Sequence, residues 1–148
     1  MIRHLRRRAF AVRCAAILAL PLSFALPARA MDPQLAQAVA QGKQMYFHDT
    51  FGGNGRVCNT CHLGGGREPG RLPDGTRIPS LTNAAAIFPR ISRRNGQLLT
   101  LPDQVAHCIG GALRGNPPDY GSAQLNALVA YVTSLAEGKP IDMGGKPR

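Results

Sequence analysis

Cys58-Asn59-Thr60-Cys61-His62 decides how the rest of the chain is read. Two thiols three positions apart, followed at once by an imidazole, match the two vinyl groups of haem and its iron. The thiols form thioethers, and the adjacent histidine is thereby held under the metal as an axial ligand. Two other chemistries use a similar cysteine pair. A thioredoxin-like redox pair needs a strand-to-helix setting, whereas this motif follows the glycine turn Phe51-Gly52-Gly53-Asn54-Gly55 in a helical pattern. A tetrahedral zinc site needs a second ligand pair at metal-site spacing, and the sequence shows none. The motif occurs once, so one covalent haem c held by Cys58, Cys61 and His62 is expected.

Upstream, Arg3, Arg6, Arg7, Arg8 and Arg13 precede an apolar run from Cys14 to Leu26, which ends in Pro27-Ala28-Arg29-Ala30. A basic start, a short apolar middle and a small-x-small end read as a secretory signal peptide over residues 1–30, cleaved after Ala30. The run falls short of the roughly 20 residues a membrane helix needs. Thioether attachment takes place outside the cytoplasm, so a periplasmic or otherwise exported location is expected. Of the 18 basic residues, six precede position 31, and none of the eight acids does, so residues 31–148 carry +4. That balance is too mild for nucleic-acid binding; it suits an acidic redox partner protein or steering of a small anion. Residues 31–148 have the size of a single domain and hold no apolar stretch of membrane-spanning length.

Three helices are expected around the motif. Asp32-Pro33 opens the first as cap and first-turn proline, and it runs toward Phe47 with Leu35, Ala38, Val39, Gly42 and Met45 at helical intervals. Thr100 and Asp103 form a reduced capping box for the second. Its Leu101, Val105, Ile109 and Leu113 fall on one face, and Gly115-Asn116-Pro117-Pro118 ends it. Ser122 caps the last, which buries Leu125, Leu128, Val129, Val132 and Leu135 and stops at Gly138 and Pro140. No segment alternates as a strand does. Leu63–Asn95 is rich in Gly, Pro and Arg and reads as one long loop, acceptable only if it wraps a large cofactor that supplies the missing core. Ile141–Arg148 is expected to lie extended on the surface.

The second axial position of the iron sets potential and reactivity. Met31 and Met45 precede the motif and Met143 follows the last helix, so no methionine lies between the motif and that helix. Cys108, in the second helix, has no obvious partner once Cys58 and Cys61 are used. The residues alone leave it open whether Cys108 ligates iron as a thiolate or is a buried, inert side chain. His107 points about 100° away from Cys108 on a helix, His48 reads as a surface residue, and Met143 is the alternative ligand.

The order of helix, motif, long loop, short helix and amphipathic last helix resembles the class I cytochrome c fold, an all-α domain wrapped around its haem. Phe88-Pro89-Arg90-Ile91-Ser92-Arg93-Arg94-Asn95-Gly96, continued by Leu101 through Cys108, resembles the haem subunit SoxA and the thiosulfate dehydrogenases. That resemblance implies ligation by His62 and by Cys108, although characteristic members carry more than one haem domain. Arg90, Arg93 and Arg94 are a separate feature: guanidinium forks suit oxyanions, either a sulfur oxyanion or haem propionates, and a solvated loop is the plain alternative. Two function classes follow. One is a mono-haem electron carrier or redox subunit passing single electrons. The other is a haem enzyme or subunit acting on thiosulfate-like anions, with Cys108 as both ligand and sulfur acceptor. A haem-based sensor would need an open sixth position and an output domain. The single motif favours electron transfer, because thiosulfate oxidation must dispose of two electrons.

If the motif is read correctly, haem stain stays with the denatured chain on a gel and colour survives acid–acetone extraction. Cys61→Ala should leave at most one thioether and little haem-loaded protein.

Overall fold

A computed structural model describes residues 30–148, so the expected signal peptide lies, but for Ala30, outside the described residues. Among the described residues five helices form the frame: α1 Pro33–His48, α2 Cys58–Cys61, α3 Ala84–Ile87, α4 Leu101–Gly111 and α5 Ala123–Ser134. The three long ones start where their caps lie. The Asp32 carboxylate accepts from the amides of Gln34 and Leu35, and the Ser122 hydroxyl accepts from Leu125 N at 3.2 Å. At α4 the box closes in both directions: Thr100 N donates to Asp103 Oδ2 at 2.9 Å and Asp103 N to Thr100 Oγ1 at 3.4 Å.

The most extensive packing in the domain is that of α1 on α5. A side chain at Gly42 would collide with the Ala127 carbonyl, so only glycine lets the two backbones approach this closely. One turn further along each helix stand Tyr46 and Tyr131, both buried, with ring centroids 5.1 Å apart in an edge-on arrangement. Ile109 and Leu113 of the α4 region join Leu128 beneath them, and Leu101 joins Val132 and Ala84. The apolar stripes of α4 and α5 therefore face one another as their periodicity requires, with Val105 and Val129 only half-buried at the margins.

Leu63–Asn95 departs from the expectation of one structureless loop without strands. It holds a 3-10 turn at Gly64–Gly66, a short ribbon of β1 (Gly70–Arg71) with β2 (Arg77–Ile78), the helical turn α3, and β3 (Arg90–Ile91), which pairs antiparallel with β4 (Leu98–Leu99). Two-residue strands are too short to show alternation, and one turn of helix is too short to show a period. Ala84, Ala86 and Ile87 of α3 are buried, so protein fills part of the interior that was expected to need a cofactor. The C-terminal tail is tied down over α3: Asp142 N donates to Ala86 O at 2.7 Å, Gly144 N to Ile87 O at 3.0 Å, and Asn83 Nδ2 to Lys146 O at 3.0 Å. Among the described residues no helix is long and apolar enough to cross a membrane.

Gly42→Ala sets two effects against each other. Alanine gains up to about 1 kcal/mol of helix propensity, whereas overpacking a close contact costs about 1–3 kcal/mol. Here the obstacle is backbone, which cannot rotate away, so a net loss of about 1–2 kcal/mol is expected as a lower Tm of the haem-loaded protein. An unchanged or raised Tm would show that the crossing is looser than described.

Candidate functional site

The turn α2 is fixed by the residues between its cysteines. Val57 N donates to Thr60 Oγ1 at 3.1 Å, and Gly65 N donates to Asn59 Oδ1 at 2.9 Å, folding the following loop back over the turn. The two tyrosines complete the hold: Tyr46 OH donates to His62 O at 2.8 Å and Tyr131 OH to Gly65 O at 2.8 Å. Gly65 has φ 66°, the left-handed conformation that favours glycine, and any side chain there would meet the Tyr131 hydroxyl. The loop passes so close to Cys61 that a side chain at Gly70 would strike the Cys61 carbonyl.

His62 is half-buried with Nδ1 2.9 Å from Pro79 O. A carbonyl only accepts, so the proton sits on Nδ1 and the Nε2 lone pair is left for a metal. Burial holds the imidazole below its usual range, against the opposing pull of the Pro79 carbonyl. It is therefore neutral near pH 7, the form that ligates.

Cys58, Cys61 and Cys108 are free thiols. Burial pushes Cys58 up to about 12, with repulsion from Cys108 the next cause. Cys108 is raised as well, mainly by burial and in part by Cys61, against a hydrogen bond from Gln104. Cys58 packs against the cluster of Ile109, Leu113 and Leu128 together with Val105, so α4, the helix that carries Cys108, lies against the motif turn. Cys108 walls a cavity of about 1330 Å³ together with Gln104, Arg90, Arg93, Arg94 and Lys146 among others. A second cavity of about 520 Å³ includes Cys61 and shares Gly111 and Ala112 with the first. The larger exceeds the roughly 300–1,000 Å³ of ordinary small-molecule sites.

These residues fit haem c. Two thiols lie free at thioether spacing and a neutral imidazole has its ligating nitrogen unprotonated; Cys61 lines the smaller cavity, which meets at Gly111 and Ala112 the larger one walled by Cys108. Arg90 Nε is buried without any hydrogen-bond partner, a donor that an acidic group of a bound cofactor or anion would satisfy. No group of three or more His, Cys, Asp or Glu side chains converges on a metal ion among the described residues.

The other expected residues separate. Met143, the alternative ligand, is 67% exposed on the tail and lines neither cavity. His107 is exposed at the rim of the larger cavity. His48 ends α1, exposed. Of the three arginines only Arg90 is half-buried; Arg93 and Arg94 are exposed on the cavity wall. Tyr46, Tyr131, Asn59, Pro79 and Gln104 were not singled out from sequence. Gln104 had a signal, because it lies four residues before Cys108 on one helix face; Pro79 had none.

Residues 41–141 match the family described as SoxA/TsdA, cytochrome c domain. The thiosulfate dehydrogenase of Psychrobacter arcticus is 30% identical over 115 residues, covering 74% of this chain and 33% of that protein. That of Stutzerimonas stutzeri is 31% identical over 117 residues, covering 78% and 36%. That of Allochromatium vinosum is 28% identical over 128 residues, covering 81% and 46%. The chain thus spans about a third to under a half of these relatives' length. Thiosulfate dehydrogenase (TsdBA) from Marichromatium purpuratum has the same fold, with TM-score 0.59 at 24% identity over 84% of this chain and 26% of that one. SoxXA from P. pantotrophus gives TM-score 0.58 at 18% identity over 75% and 37%.

Tyr46→Phe removes the hydroxyl that donates to the His62 carbonyl. The carbonyl keeps the Gly66 amide at 3.1 Å, so losing the hydroxyl should cost about 0.5–1.5 kcal/mol, read as a lower urea midpoint of the haem-loaded protein with an unchanged slope. A midpoint equal to wild type would mean that the hydroxyl does not hold the loop.

Proposed function

This chain belongs to the SoxA/TsdA cytochrome c domain family, and on that footing we propose that it is an exported, periplasmic mono-haem redox protein whose iron is ligated by His62 and Cys108. It transfers single electrons as a carrier or as the redox subunit of a larger assembly. One observation carries this reading: Cys108 lines the larger cavity from α4, whose Ile109 belongs to the cluster on which Cys58 of the motif packs, while Met143 is exposed elsewhere.

The haem c that the family implies supplies a one-electron ferric–ferrous couple. Cys58 and Cys61 would hold it covalently, His62 would offer Nε2 because Pro79 occupies Nδ1, and Cys108 would offer its sulfur from α4. A thiolate donor stabilises ferric iron and so lowers the potential. The domain is helical and rigidly tied around the site, which keeps reorganisation small when an electron moves. Export rests on the residues before position 31, and the single haem on the single motif. Partner proteins are supported by the two-component names of the structural neighbours, TsdBA and SoxXA.

A second reading is favoured by the basic wall. Arg90, Arg93, Arg94 and Lys146 line the cavity that contains Cys108, and guanidinium and ammonium groups there would attract a thiosulfate-like anion. The curated relatives are thiosulfate dehydrogenases. Joining two thiosulfates releases two electrons, one more than a single haem accepts, so this chemistry would require a further acceptor in a partner.

Two substitutions separate ligand from bystander. Cys108→Met should raise the reduction potential, because a neutral thioether stabilises ferric iron less than a thiolate. Cys108→Ala should let added imidazole or cyanide bind readily. If Cys108 were only a packed side chain, Cys108→Ala would cost roughly 1 kcal/mol of stability and leave spectrum and potential unchanged.

A further inference from the structure

Cys108 does not meet the cavity alone. Gln104, one turn earlier on α4, directs Nε2 at Cys108 Sγ, 3.3 Å away. Gln104 Oε1 in turn accepts from Arg90 Nη2 at 3.2 Å. An amide side chain can present either end to a neighbour, and a sulfur ligand would be served by the NH₂ end only. Arg90 has donors and no acceptors, so it can bind only the oxygen end. The orientation of Gln104 is therefore settled by Arg90.

Arg90 is itself held in place. It belongs to β3, where it pairs with Leu99 of β4, and its guanidinium lies over the Phe88 ring at 4.8 Å from the centroid. β3 thus anchors an arginine, the arginine fixes an amide, and the amide faces a sulfur. Arg93 and Arg94, exposed on the same cavity wall, have no such bond to α4.

Resting on the proposal that Cys108 ligates the iron, we infer that Gln104 is a positioning residue that tunes the thiolate, with Arg90 acting through it. A hydrogen bond donated to a ligating thiolate withdraws electron density from the sulfur and weakens its donation to ferric iron. The bond therefore raises the potential above that of a bare thiolate site. It also fixes the direction of the sulfur lone pairs, giving a single ferric species. Arg90 strengthens the bond by polarising the amide from its far end.

The test uses the haem-loaded full chain. Equilibrium redox titration and low-temperature EPR of the ferric state are compared for wild type, Gln104→Met, Gln104→Glu, Arg90→Met and the Gln104→Met/Arg90→Met pair. Gln104→Met keeps length without a donor, and its ferric-to-ferrous ratio at fixed ambient potential should rise roughly tenfold, about 59 mV for a one-electron couple. Gln104→Glu keeps the acceptor for Arg90 but has no N–H, so it should move the potential in the same direction. Arg90→Met frees the amide to turn over and should split the ferric low-spin signal into two populations. The double variant has no amide to turn and should show one. A thiolate signal in wild type whose shape and potential do not change in Gln104→Met and Gln104→Glu would overturn this inference and leave Cys108 as ligand. A wild-type spectrum without thiolate character would overturn both.

Discussion

The close crossing of α1 over α5 at Gly42 is the constraint on which the site depends. It brings the backbones within reach of each other, and one turn along each helix it sets Tyr46 and Tyr131 edge to face. Their hydroxyls then reach two carbonyls of the loop that follows the motif, those of His62 and Gly65. Packing between helices distant in sequence is thereby converted into a position for one imidazole. A wider crossing would withdraw both hydroxyls together, leaving the Gly65 carbonyl without its partner at a cost of about 1–3 kcal/mol and the His62 carbonyl with the Gly66 amide alone.

The other wall is built by different means. α4 supplies Cys108 and Gln104 on a single face, while the β3–β4 ribbon brings Arg90 against it from outside the helical frame. One wall fixes geometry through hydroxyl-to-carbonyl bonds, and the other sets charge through an arginine, an amide and a sulfur. Such a division suits a redox site, where the proximal ligand must stay still and the distal one sets the potential. The same basic wall would attract an anion, so the two proposed readings draw on the same residues.

Legibility from sequence followed the range of the interactions. Asp32, Thr100 with Asp103, and Ser122 cap helices that the apolar periodicity also marks, and each of those helices starts where its cap stands. The five-residue motif carried the cofactor chemistry, and elimination of the methionines drew attention to Cys108. Leu63–Asn95 was not legible. Its two-residue strands have no alternation to detect, and α3 is buried because the tail comes back over it, a contact between residues about 55 positions apart in sequence. Nothing local distinguishes Arg90 from Arg93 and Arg94; only the pairing of Arg90 with Leu99 and its bond to Gln104 do so.

Thiolate, thioether and bis-imidazole ligation differ most plainly in the ferric protein, so low-temperature EPR combined with near-infrared spectroscopy of the purified, haem-loaded chain is the direct test of the site. The expected result is a low-spin imidazole–thiolate signal accompanied by the charge-transfer band of a sulfur anion on iron. A methionine-type band, a bis-histidine signal or a high-spin ferric spectrum would place Cys108 outside the coordination sphere and contradict the assignment.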